Sequence, residues 1–121
     1  MRKLFALAIA VCLGASAVAG AADRVVKKKN GQPIKVSWIG KTLNNPWWIA
    51  CADSAAVEAK NIGVDMKIAL PQEEVDLEKQ VTMVESAIEQ GVDAIIISAA
   101  SSDGIIPAIR KARDAGIKII N

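Results

Sequence analysis

The chain has 121 residues, with 15 basic and 13 acidic side chains for a net charge of +2, two cysteines and no histidine. Without histidine the usual proton carriers of catalysis are thinned to carboxylates and lysines. Two cysteines with no histidine also make no metal-ligand set, so metal and cofactor chemistry are not expected.

Arg2 and Lys3 precede an uninterrupted apolar and small-residue run ending near Ala22, with A-x-A patterns at Ala15-Ser16-Ala17, Ala17-Val18-Ala19 and Ala19-Gly20-Ala21. A positive start, an apolar middle and a small-residue cleavage pattern predict a secretory signal peptide over residues 1–22. A membrane anchor is disfavoured because the second half of the run is mostly Ala, Gly and Ser. Ile9-Ala10-Val11 puts a branched residue where lipid processing at Cys12 would need a small one. Removing Arg2 and Lys3 leaves 13 basic against 13 acidic residues, and a balanced surface argues against a nucleic-acid partner. Cys51 is then the one remaining thiol, read as a small apolar residue near Trp48 on the first helix. Residues 23–32, with Arg24 and Lys27-Lys28-Lys29, read as a basic mobile tail, and residues 33–121 as the folded lobe.

Residues 34–40 follow Pro33, are rich in β-branched and aromatic side chains, and read as a strand. The next stretch, Lys41-Thr42-Leu43-Asn44-Asn45-Pro46-Trp47-Trp48, opens a helical pattern that ends at Gly63. Asn45 is ordinary cap chemistry, and Pro46 presets φ at the first helical position, where a missing N–H costs little. The same residues suit a polyol: indoles offer flat apolar faces to ring C–H groups, and the amides of Asn44 and Asn45 put donors and acceptors side by side.

Gly63-Val64-Asp65 and Gly91-Val92-Asp93 are the same tripeptide before an apolar run, and Gly116-Ile117-Lys118 repeats the theme. Each glycine is expected to close a helix in the left-handed conformation and release the chain into a strand, over residues 64–70, 92–98 and 117–121. Ala94-Ile95-Ile96-Ile97 is apolar without alternation, as expected of a parallel strand covered on both faces. Three-four spacing places Trp48, Ala52, Ala55, Ala59 and Ile62 on one face of the first helix. The second uses Leu77, Val81, Val84 and Ile88, and the third Ile105, Ile109 and Ala112. Asp76 or the acidic residues before it are expected to cap the second helix, and Ser102 or Asp103 the third, with Pro107 in its first turn. The order β-α-β-α-β-α-β predicts an α/β fold with a doubly wound parallel sheet, in which ligands bind at the carboxyl ends of the strands.

Thr42-Leu43-Asn44-Asn45-Pro46 with two aromatics after it, Gly91-Val92-Asp93-Ala94-Ile95-Ile96-Ile97 and Ala115-Gly116-Ile117-Lys118-Ile119-Ile120 resemble the periplasmic sugar-binding proteins of the ribose-binding type, relatives of the lac-repressor sensor domain. The resemblance covers residues 33–121 and implies an incomplete N-terminal lobe of a two-lobe binding protein. It implies that Asn45, Trp47 and Trp48 touch a sugar, with Asn44 beside them. It also implies partners in the membrane subunits of an ABC importer and a chemoreceptor. The family usually has Phe where Trp47 and Trp48 stand, which suggests a larger stacking platform. Lys41 replaces a small polar residue and, with Ser98-Ala99-Ala100-Ser101-Ser102-Asp103-Gly104, resembles the branch that binds autoinducer-2, in which the lysine contacts ligand.

The resemblance further implies a continuation after Asn121: an aspartate that binds sugar, a fifth strand, a hinge and a second lobe. The expectation is therefore a truncated product that neither clamps a sugar nor folds robustly alone, its half-unpaired strand over residues 117–120 an aggregation hazard. Two further classes fit less well. An enzyme is disfavoured because no G-x-G-x-x-G follows a strand, no phosphate-binding loop is present, and Asp65 and Asp93 read as turn residues at the far end of the strands. A transcriptional sensor is disfavoured because a leader occupies the place of a DNA-binding motif.

Overall fold

The computed structural model describes residues 25–121, so the leader expected over residues 1–22, with Cys12, lies outside the described residues. The described chain forms β1 (Lys35–Ile39), α1 (Pro46–Asn61), β2 (Asp65–Ala69), α2 (Leu77–Glu89), β3 (Ala94–Ile97), α3 (Ile106–Asp114) and β4 (Lys118–Ile120). All strand pairs are parallel, in the order β2-β1-β3-β4, with Trp38 opposite Ile68 on one side and Ile96 on the other. The expected α/β architecture is therefore present, and each strand is a residue or more shorter at each end than the sequence suggested.

Two of the turns at the lower rim show why the glycine triplets recur. Gly63 and Gly91 have φ of 73° and 62°, a region where a side chain would be strained. Gly63 N–H donates to Lys60 O and Val64 N–H to Ala59 O; Gly91 bonds Ile88 O and Val92 bonds Ala87 O in the same pattern. These paired bonds satisfy the last carbonyls of each helix and turn the chain directly into a strand. Gly116 and Ile117 repeat the pattern after α3.

The main core lies between the sheet and the α2–α3 layer, where Ile39, Ile95 and Ile97 pack with Val84, Ala87, Ala108 and Ala112. On the opposite face α1 packs on β2, with Ala52 and Ala59 buried, and its Trp48 reaches Trp38 of β1. The apolar run of β3 therefore alternates in burial although not in chemistry. Ile95 and Ile97 are buried, whereas Ala94 and Ile96 are half-buried, and Ile120, opposite Ile96, is 53% exposed.

Gln80, within the apolar stripe of α2, is completely buried. Its Nε2 donates to Gly40 O at 3.0 Å and Ser98 O at 2.9 Å, and its Oε1 accepts from Ala100 N–H at 2.8 Å. The stripe read from sequence contained only Leu77, Val81, Val84 and Ile88; Gln80 falls on the same face and ties the ends of β1 and β3 together. Asp76 caps α2 as expected, accepting from Lys79 N–H at 2.9 Å. The expected cap of α3 is corrected. Residues 102–105 form turns, Ser101 Oγ accepts from Gly104 N–H, and α3 begins after Ile105 with no side-chain cap. Pro107 lies in its first turn.

Of the segment expected as a solvated tail, residues 25–32 are described. Val26 N–H donates to Ile62 O, Lys27 bridges to Pro33, and Lys28 Nζ lies 2.8 Å from Asp93 Oδ2, which also accepts from Lys35 N–H. The Lys28 ammonium first, and then the Lys35 amide, hold the Asp93 carboxyl below its ordinary value of 3.8. A lowered carboxyl pKa gives stability that is fully present above the ordinary value and lost as pH falls through the folded one.

Two outcomes are expected. Gln80→Leu leaves Gly40 O, Ser98 O and Ala100 N–H without partners, and urea unfolding should register a loss of about 2–4 kcal/mol; a loss too small to measure would show that the bonds do not hold the strand ends. Asp93→Asn should cost on the order of 0.5 kcal/mol near neutral pH, since the pair is largely solvent-screened. The difference between the two proteins should shrink below about pH 4, and a gap constant down to acid pH would contradict the ion pair.

Candidate ligand site at the upper rim

The first crossover runs from β1 to β2, and the next passes back over β1 to β3, so the strand order reverses between β1 and β3. At such a switch point the loops leaving two neighbouring strands diverge and open a crevice. Here those loops are residues 40–45 and 98–105.

The first loop is held from below. Thr42, 2% exposed, donates from Oγ1 to Gln72 O at 2.6 Å and accepts there from Asn44 N–H at 3.0 Å, while Leu43 N–H donates to Pro71 O at 2.8 Å. A Cβ at Gly40 would collide with a Leu70 methyl and the Trp38 ring, so any side chain here would force both to shift. Asn45 has extended backbone angles and its Oδ1 accepts from Trp47 N–H at 3.0 Å, with Pro46 at the first helical position. The start of α1 is thus set by the cap, as the sequence suggested.

Consecutive helical residues point about 100° apart, so the two tryptophans diverge. Trp47 is 61% exposed, whereas Trp48 is half-buried. Their rings meet edge to face, with centroids 4.6 Å apart and planes at 87°, and Trp38 lies 6.3 Å from Trp48 at 50°. All three tryptophans of the chain therefore meet at this rim. Trp38 was not singled out from sequence; the signal was its place near the carboxyl end of β1, on the face that α1 covers.

Two concavities flank Trp48. One, of about 540 Å³, is lined by Trp38, Trp47, Trp48, Cys51, Ser54 and Ser98 among others. The second, of about 510 Å³, is lined by Lys41, Trp48, Ser98, Ser102, Ile105 and Asn121 among others. Trp48 and Ser98 line both. Asn44 and Asn45 line neither. Asn44 Nδ2 donates to Glu73 Oε1 at 3.2 Å, on the side of the β2–α2 loop, and Asn45 has committed its oxygen to the cap. The structure thus gathers Lys41, Trp47 and Trp48 around open space and leaves the two asparagines out of both linings. Among the described residues no group of histidine, cysteine and carboxylate side chains could hold a metal ion.

A doubly wound sheet with an aromatic crevice at its switch point defines a ligand-binding α/β lobe. The chain belongs to the periplasmic binding protein domain family, which matches residues 36–121. Its members bind ligands rather than transform them, and the ribose-type resemblance holds. The D-apiose import binding protein of Paraburkholderia graminis is 40% identical over 68% of this chain and 26% of its own length. The D-ribose/D-allose-binding protein of Pseudomonas aeruginosa is 30% identical over 72% of this chain and 28% of its own. Among solved structures, a solute-binding protein from Actinobacillus succinogenes with bound D-allose is 35% identical, with a TM-score of 0.69, over 73% of this chain and 31% of that one. The chain thus spans between a quarter and a third of the length of these relatives.

The different exposures of the indoles predict a fluorescence result. Acrylamide should quench one emitting class readily, and Trp47→Phe should remove most of that fraction. Equal quenching of all emission before and after the substitution would contradict the crossed arrangement.

Proposed function

We propose that this chain is part of the substrate-binding component of an ABC-type importer, exported behind a cleaved leader over residues 1–22 and capturing a small sugar in the periplasm. The single observation that carries this reading is the indole of Trp48, standing between two open concavities at the strand-order reversal with Trp47 and Trp38 against it. Support also comes from relatives described as binding D-ribose, D-allose and D-apiose. In this reading the sugar ring lies on Trp48, and Trp47 closes one side. The Nδ2 of Asn45, left over from capping, and the amide of Asn44 reach hydroxyls at the lower edge of the ring. Lys41 meets the ligand from the side of the second cavity. The partners are the importer's membrane subunits and a chemoreceptor, and no nucleic acid takes part.

A second reading, capture of a signal molecule of the autoinducer-2 type, is favoured by one observation: Lys41 lines the cavity that contains Ser98 and Ser102. Both readings describe a binder without chemistry on its ligand.

Contacts from these residues alone set the affinity. Stacking on an indole contributes on the order of 1 kcal/mol, and a hydrogen bond about 1 kcal/mol. Less the cost of association, the sum corresponds to roughly millimolar dissociation. Tighter capture in such proteins comes from a second lobe closing over the ligand.

All three tryptophans report on this site, so intrinsic fluorescence is a direct assay. Titration with D-ribose, D-allose and D-apiose should change the emission with roughly millimolar midpoints, and Trp48→Ala should weaken binding about tenfold. Binding unaffected by Trp48→Ala, or no response to any of the three, would overturn the assignment.

A further inference from the structure

Each cavity at the upper rim has walls on both sides of the strand-order reversal. In one, Trp48 comes from α1 after the first loop, and Ser98, Ser102 and Ile105 come from the stretch after β3. In the other, Trp47 and Trp48 of α1 share the lining with Ser98. The gap between the two sides is therefore part of the site. The last direct bond between the two chains runs from Ser98 N–H to Ile39 O, at 2.9 Å. Beyond it they part, since Gly40 N–H donates to Ala69 O and Leu43 N–H to Pro71 O, both on the β2 side. Among the described residues no backbone hydrogen bond joins residues 40–45 to residues 98–105, and Gln80 is the one side chain that bonds both. It stands in the first turn of α2, a helix start fixed by the Asp76 cap. One planar carboxamide holds its donor and acceptor in a set relation, so its three bonds specify one spacing of the loops.

We propose that Gln80 is a positioning residue for ligand binding, setting the gap across which a sugar is held by both loops. This rests on the binding role proposed above. Gln80 is completely buried and lines neither cavity, so it acts through the loops and not by contact. Without its bonds the loops sample several spacings, and apparent affinity falls by the fraction of molecules that keep the fitting one. A residue that only stabilised the core would leave that fraction unchanged among folded molecules.

The test compares Gln80→Met with Val84→Ala. Met keeps the length of the side chain and loses its amide. Val84 lies one turn further along α2 in the main core, so Val84→Ala lowers stability without removing a bond to either loop. Both are titrated with D-ribose, D-allose and D-apiose in sucrose, which favours the compact state, with circular dichroism confirming that each is folded. Gln80→Met should weaken binding about tenfold, as when about one molecule in ten keeps the fitting gap, and Val84→Ala should leave affinity unchanged. Gln80→Asn, whose amide is one carbon short of the same partners, should lose as much as Gln80→Met, which separates missing bonds from a buried thioether. Hydrogen exchange followed by NMR adds a reading without ligand: the Ala100 amide should exchange fast in Gln80→Met while amides of α2 stay slow, and should stay protected in Val84→Ala. Full affinity in Gln80→Met, an equal loss in Val84→Ala, or an Ala100 amide still protected in Gln80→Met would overturn the inference and leave sugar binding standing. No response of the unsubstituted chain to any of the three sugars would overturn sugar binding itself, and the inference with it.

Discussion

The upper rim of this sheet exists because two strand ends that diverge are kept in fixed relation by one buried carboxamide. Parallel strands end with unpaired carbonyls, and where the strand order reverses no neighbouring loop covers them. Gln80 reaches up from α2 and satisfies Gly40 O, Ser98 O and Ala100 N–H with a single side chain. A buried polar group is costly when alone and specific when fully bonded. Here all its bonds end on backbone, so it fixes where the two loops start whatever side chains they carry. Ser98 and the turn from Gly40 to Lys41, which border the cavities, are therefore held by a residue of the core and not by one another.

From that footing the site is built by small local constraints. Thr42 seats the first loop on the loop after β2, and Asn45 sets the first turn of α1. With the helix start fixed, the tryptophans have little choice of direction, since adjacent helical positions must diverge. The result is an edge-to-face pair against a third indole from β1. Aromatic pairs favour this geometry over a parallel sandwich, so the cluster is preformed, and Trp48 keeps one indole between two spaces. The same cap explains why the asparagines differ from the simplest polyol picture. Asn45 spends its oxygen on a helix end, and Asn44 is turned toward Glu73.

Much of the architecture was legible because it depends on short-range rules. The glycine triplets marked helix ends, three-four spacing marked the buried faces of the helices, and Asn45-Pro46 marked the start of α1. What was not legible depends on pairs distant in sequence. Trp38 gains its place at the rim only once α1 folds back over β1. Gln80 looks like a solvent-facing residue until the strand ends it bonds, 40 and 18 residues away, are brought above it. The start of α3 was misplaced because Ser102 and Asp103 are good capping types, yet the tight turn held by Ser101 uses that stretch and delays the helix. The unbroken apolar run of β3 suggested equal cover on both faces, whereas α1 shields the β2 side of its face and leaves Ile96 and Ile120 less protected.

The two rims of the sheet differ in a way that bears on how such a lobe can diversify. Helices return to strands through the short stretches 62–64, 90–93 and 115–117, closed by one repeated glycine geometry, while strands lead into helices through the longer stretches 40–45, 70–76 and 98–105. Insertions or exchanges among the longer connections leave the glycine closures and the main apolar core untouched. Mutation can therefore explore new recognition chemistry on one rim while the other preserves the scaffold, a division of labour that lets a lineage change what it binds without relearning how to fold.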